Sequence, residues 1–135
     1  MHERAREAGS ELRRSMVGLA SGSIGLLLVV FVSTERQDYT LLQLLLIGGA
    51  VLSHTFTVLF GLLAWRSDAQ RNYFWALQLD TLYSDDSQLN YETRTKYQNR
   101  MKRADWIARY IFILGVVLIS LFVLLRLIQP TFRIF

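Results

Sequence analysis

One ionisable side chain, His54, lies in the middle of a long uncharged stretch, residues 41–65. Such a stretch is long enough to cross a bilayer, and a polar group at that depth is costly and often functional. Histidine there can respond to protons, line a pore or bind haem iron. The only other histidine is His2, so a second haem ligand would have to come from another copy. The alternative is a neutral histidine hydrogen-bonded to Ser53, Thr57 or a backbone carbonyl.

Small residues recur every four positions in two apolar stretches. Small side chains let helix backbones approach closely in lipid, where no hydrophobic force drives helices together. We expect one such face to join helices within the chain and the other to be free for a second copy. The candidate pore or helix-packing residues are Gly18, Gly22 and Gly25 in the first stretch and Gly49, Ser53, His54, Thr57 and Gly61 in the second.

Signals for catalysis are absent from the sequence. The chain has no cysteine, which excludes disulfides, thiol catalysis and cysteine metal sites. It contains no phosphate-binding glycine loop, no HExxH and no serine–histidine–acid arrangement. Asp85 and Asp86 are adjacent carboxylates, but this is common in a turn. The sequence therefore predicts a protein that is not an enzyme and has no cofactor or metal. Nucleic-acid binding is not predicted, because acidic and basic residues nearly balance in residues 66–105.

The elements that position these residues are three apolar stretches, at residues 16–33, 41–65 and 106–128. As helices they would be roughly 27 to 37 Å long, close to or above the hydrocarbon thickness of a bilayer. A water-soluble domain of 135 residues could not bury so much apolar surface. The first stretch is not followed by a small-x-small cleavage signal, so we expect it to be retained. The predicted fold class is an all-α integral membrane protein with three transmembrane helices.

The charge distribution predicts the orientation of these helices. The first two are joined by only seven residues, 34–40, which favours an antiparallel pair. The link at residues 66–105 carries seven lysines and arginines, and the N-terminal residues 1–15 carry four. Because basic residues remain on the cytoplasmic side, we expect the N-terminus and the link in the cytoplasm. The short tail at residues 129–135 would then lie outside.

The link contains neither proline nor glycine, which favours helix. We predict a cytoplasmic helical hairpin over residues 66–105 that turns at residues 84–87. Its two apolar stripes would be Trp65, Ala69, Tyr73, Ala76, Leu79 and Tyr83, and Leu89, Thr93, Tyr97, Met101, Ala104 and Ala108. Residues 1–15 are predicted to form a short amphipathic cytoplasmic helix. Tyr73, Phe74 and Trp75 cover more than one helical face, and we interpret them as internal packing, a headgroup contact or a candidate partner interface.

The stretch from Arg13 to about Tyr83 resembles the small bacterial membrane effectors of the SLATT class. Those proteins have a hydrophobic hairpin with a short outer loop, flanked by cytoplasmic helices; the third stretch at residues 106–128 is an addition to that plan. The resemblance implies an oligomer in the bacterial inner membrane that permeabilises or depolarises the bilayer in antiviral defence.

These observations predict a non-enzymatic, self-associating membrane protein that forms a pore or perturbs the bilayer. The second helix would line the pathway, with His54, Ser53 and Thr57 toward the centre. The alternative is an accessory subunit of a larger membrane complex. The expected partners are the lipid bilayer and either further copies of the chain or other membrane subunits.

Overall fold

The computed structural model describes residues 2–33, 39–80 and 86–132, and all but two of these residues are helical. The helices are α1 (His2–Ser33), α2 (Leu41–Asp80) and α3 (Asp86–Phe132). Each contains a window long and apolar enough to cross a membrane. This confirms the predicted all-helical chain with three apolar helices and indicates a membrane protein.

The three helices leave most of their apolar surface uncovered. Only 17% of the apolar window of α1, 33% of that of α2 and 11% of that of α3 is buried. Leu26 and Leu127, for example, are 69% and 67% exposed. In water, exposed apolar surface of this extent would be unfavourable, so lipid or further protein must cover it.

Each helix continues beyond its apolar window. α1 joins the predicted N-terminal helix and the first stretch in one element of 32 residues, and α3 continues into the predicted tail as far as Phe132. The start of α2 is fixed by Thr40 and Gln43. The backbone amide of Gln43 donates to Thr40 Oγ1 at 3.3 Å, and that of Thr40 donates to Gln43 Oε1 at 3.2 Å. This reciprocal capping satisfies two donors that a helix start leaves unpaired.

Beyond the apolar windows, α2 and α3 pair as an antiparallel hairpin. The rings of Phe74 and Tyr97 are stacked with centroids 5.6 Å apart. Arg94 donates to Gln78 at 3.1 Å and lies 4.3 Å from the centroid of Trp75. Of the turn predicted at residues 84–87, the last two residues belong to α3 and the first two lie outside the described residues.

One of the two predicted stripes is wrong. On α2, Tyr73 and Leu79 are 62% and 54% exposed, and the neighbouring face that carries Arg71 and Phe74 turns inward. The small residues within the apolar window determine which face of α2 packs against the other two helices. Because α2 is one continuous helix, the same face also points inward in the hairpin. The α3 stripe lies inward as predicted from Thr93 to Ala108, which is fully buried, whereas its first member, Leu89, is exposed.

Candidate functional site

His54 is fully buried between α2 and α3. Its ring lies 5.6 Å from that of Phe112, at an angle of 53°. On α3 it faces Gly115, where a Cβ atom would lie only 2.8 Å from His54 Cε1 and 3.0 Å from Nδ1. A larger residue would push the imidazole away, so the glycine allows α3 to pass close to the ring. Gly115 was missed in the sequence because it is isolated from any small-residue repeat.

Neither ring nitrogen of His54 has a hydrogen-bond partner among the described residues. The hydroxyl of Thr57 donates to the backbone carbonyl of Ser53 at 2.9 Å rather than to the ring. The expected side-chain bonds from Ser53 or Thr57 to His54 are therefore not formed. A buried polar group without a partner costs about 1–3 kcal/mol. The site is an energetically unfavourable point within the packed helices.

His54 belongs to a line of buried polar residues along α2. Gln43, His54 and Thr57 have no exposed surface, and Ser53 is 7% exposed. The sequence interpretation placed Ser53, His54 and Thr57 toward a central pathway, but in the structure all three are buried within the packed helices. The physical reason is that α2 lies between α1 and α3, and both pack on its small-residue side.

The small-residue ribbon of α2 contacts two different helices. A Cβ added at Gly49 would lie 3.2 Å from Leu118 Cδ1 on α3, and one added at Gly61 would collide with Val17 of α1. Ala64, one turn further on, is fully buried. This ribbon is consequently occupied within the single chain.

The small-residue face of α1 is free among the described residues. A Cβ added at any of its three glycines would meet no atom within 4 Å. Ser21, on the same face, is also exposed. The two groups of glycines predicted for packing thus differ: those of α2 are used within the chain and Gly18, Gly22 and Gly25 of α1 are not.

An ion-pair network at the end of the apolar windows joins α1 to α3. Arg13 Nε donates to Asp105 Oδ1 at 3.1 Å, and Arg109 donates to Asp105 Oδ2 at 2.7 Å. Arg13 is only 6% exposed. Further from the membrane windows, Arg6 donates to Asn72 on α2 at 3.0 Å. In the sequence, Arg13 was interpreted as a topology signal. The sequence signal for the ion pair is the opposite charge of Asp105, which directly precedes the third apolar stretch.

The three aromatic residues proposed as a partner interface divide between two roles. Phe74 packs inside the hairpin against Tyr97. Tyr73 and Trp75 remain 62% and 48% exposed, although Arg94 covers one face of the indole. Two of the three are therefore accessible to a partner.

Within the described residues, no group of three or more histidine, cysteine, aspartate or glutamate side chains is placed to hold a metal ion. No family model, curated protein or solved structure matches the chain.

Proposed function

We propose that this chain is a non-enzymatic membrane protein that self-associates and permeabilises or perturbs the bilayer. The observation that carries the proposal is the free small-residue face of α1, at Gly18, Gly22 and Gly25, beside a fully used face on α2. Glycines three or four residues apart on an exposed helix face allow a second helix to approach at backbone distance. A second copy, presenting the same face, is the simplest occupant.

The buried polar line of α2 would supply the pathway. In the arrangement described, α1 and α3 close it off. Separating α3 from α2 would uncover His54, which faces Gly115 and Phe112 of α3. Ser53 and Thr57 are buried beside it on the same helix. Water entering there would satisfy the two unpaired nitrogens of His54. Because a polar side chain buried without partners costs about 1–3 kcal/mol, hydration of the imidazole offsets part of the cost of separating the helices.

The proposed setting is the bacterial inner membrane, with the N-terminus and the α2–α3 hairpin in the cytoplasm and the C-terminus outside. The excess of basic residues at that end of the helices supports this orientation. The resemblance to SLATT effectors supports a role in antiviral defence, in which the hairpin receives the trigger.

Single-cysteine crosslinking tests self-association cleanly, because the natural chain has no cysteine. In liposomes, Gly22→Cys should form disulfide-linked dimers under mild oxidation. Ile113→Cys, exposed at a comparable depth on α3, is the control and should crosslink far less. Gly22→Leu should fold normally, since nothing lies within 4 Å of that Cβ position. It should nevertheless reduce both association and the release of an entrapped dye.

A monomeric protein that neither crosslinks at Gly22 nor releases dye would contradict the proposal. A chain that is stable only with a different subunit at fixed stoichiometry would instead support the second candidate function, an accessory subunit. The exposed Tyr73 and Trp75 favour that alternative, because aromatic residues are enriched at protein interfaces.

A further inference from the structure

A cavity of about 520 Å³ opens between α2 and α3 where their apolar windows give way to charged sequence. Its basic lining consists of Arg66 from α2 and Arg100 and Arg103 from α3. Its apolar lining includes Phe60, Leu63 and Ile107. The cavity is distinct from the buried polar line, with which it shares no residue.

The two kinds of lining occupy different levels along the helices. Contacts between His54 and Gly115 and between Phe74 and Tyr97 fix the antiparallel register. In this register Leu63 is level with Ile107, and Arg66 is level with Arg103. The apolar residues therefore lie within the predicted spans, whereas the arginines lie just beyond them. The cavity is amphiphilic along the direction of the bilayer normal.

The cavity arginines have no acidic partner among the described residues. Nearby carboxylates are occupied elsewhere: Asp105 binds Arg13 and Arg109, and Asp68 binds Arg71. Among the residues that the structure describes, no aspartate or glutamate lines the cavity. The guanidinium of Arg100 lies 5.8 Å from the ring centroid of Tyr97, which also lines it. Three guanidinium groups thus surround one opening without neutralisation.

α1 does not cover this opening. It contacts α2 at Gly61 and Asn72 and α3 at Asp105, and none of these residues lines the cavity. No residue of α1 lines it either. The cavity is consequently accessible from the lipid on the side of the hairpin that α1 leaves open.

We propose that this cavity binds one anionic phospholipid. The phosphate would lie among Arg66, Arg100 and Arg103, since guanidinium groups bind phosphate oxygens with paired hydrogen bonds. The start of an acyl chain would lie on Phe60, Leu63 and Ile107. Basic pockets between transmembrane helices are suited to acidic headgroups. The apolar half favours a lipid over free phosphate, whichever side of the membrane the hairpin faces.

Native mass spectrometry of the full chain in detergent, with phosphatidylglycerol or phosphatidylcholine added, tests the proposal. The wild-type protein should retain one phosphatidylglycerol, with at least tenfold preference over phosphatidylcholine. Arg66→Gln/Arg100→Gln/Arg103→Gln should lose about tenfold or more in retention, since it removes the basic groups that would attract the acidic headgroup. The control Arg4→Gln/Arg14→Gln/Lys102→Gln removes the same charge from exposed positions outside the cavity and should retain the lipid.

A second pair of variants keeps the charge unchanged, so the test does not depend on the triple variant folding. Ala104→Trp should fill the cavity and lower phosphatidylglycerol retention, whereas Ala69→Trp, on an exposed part of α2 outside it, should not. Equal retention by the cavity and control variants would overturn the proposal, as would equal retention of the two lipids. Displacement of the lipid by millimolar inorganic phosphate would overturn the lipid assignment and identify a free-anion site.

Discussion

Substituting Gly61 with alanine should separate α1 from α2. The added Cβ would collide with Val17, which is itself only 8% exposed and has little room to move. Overpacking of this kind costs typically about 1–3 kcal/mol. The higher helix propensity of alanine returns roughly 0.5–1 kcal/mol. We therefore expect Gly61→Ala to lower the free energy of unfolding by about 1 kcal/mol, the difference between the middle values of these two ranges.

The measurement is an SDS titration in mixed micelles, followed by far-UV circular dichroism. Gly48→Ala is the matched control, because it makes the same substitution in the same helix where nothing lies within 4 Å of the new Cβ. It should leave stability unchanged or raise it slightly. Val17→Ala combined with Gly61→Ala should cost less than the sum of the single substitutions, because the shortened side chain no longer meets the methyl group. If Gly61→Ala is as stable as Gly48→Ala, the packing of α1 on α2 described above is incorrect.

Three further predictions concern the polar residues and the orientation. His54→Leu should raise the free energy of unfolding by about 1–3 kcal/mol in the same titration, because it removes two buried nitrogens without partners; a loss of stability would show that the ring has a partner. Arg13→Ala should lower the free energy of unfolding by about 2 kcal/mol, as expected for a charged hydrogen bond. The control Arg14→Ala, at an exposed neighbouring position, should change it little. Equal effects of the two substitutions would show that the Arg13–Asp105 pair does not stabilise the protein. Cysteines at Asp38 and Asp85 should react with a membrane-impermeant maleimide from the periplasmic and cytoplasmic sides respectively, and the reverse pattern would refute the orientation.

The coarse fold could be predicted because it depends on averages over long stretches. A run of about twenty uncharged residues has few alternatives to a helix that crosses a bilayer. The hairpin followed from the absence of proline and glycine in residues 66–105. Which face of α2 packs could not be read from that pattern. The apolar stripe through Tyr73 was plausible on spacing alone, but packing near Gly61 and Ala64 had already fixed the inward face one residue away.

The candidate site was predictable in composition but not in arrangement. The sequence identified His54 and the glycine repeats, since both residue types are informative within a membrane span. It could not show that α3 presents Gly115 to the imidazole, because that contact depends on the register between two helices. Arg13 was similarly ambiguous, because a basic residue beside a span is usually a determinant of membrane orientation. Only the position of Asp105 in the folded chain shows that Arg13 forms a buried ion pair.

The continuity of α2 has a mechanical consequence. The 40 residues of this helix run without a described break from Leu41, at the start of its apolar window, to Asp80. The 15 residues beyond Trp65 form an arm of about 22 Å at 1.5 Å per residue. No described loop separates this arm from the span. A displacement of the arm near Trp75 would therefore be transmitted directly to the membrane-spanning part of α2. Gly61 lies close to the end of the span and contacts Val17 of α1, so a tilt of α2 would be centred near this contact.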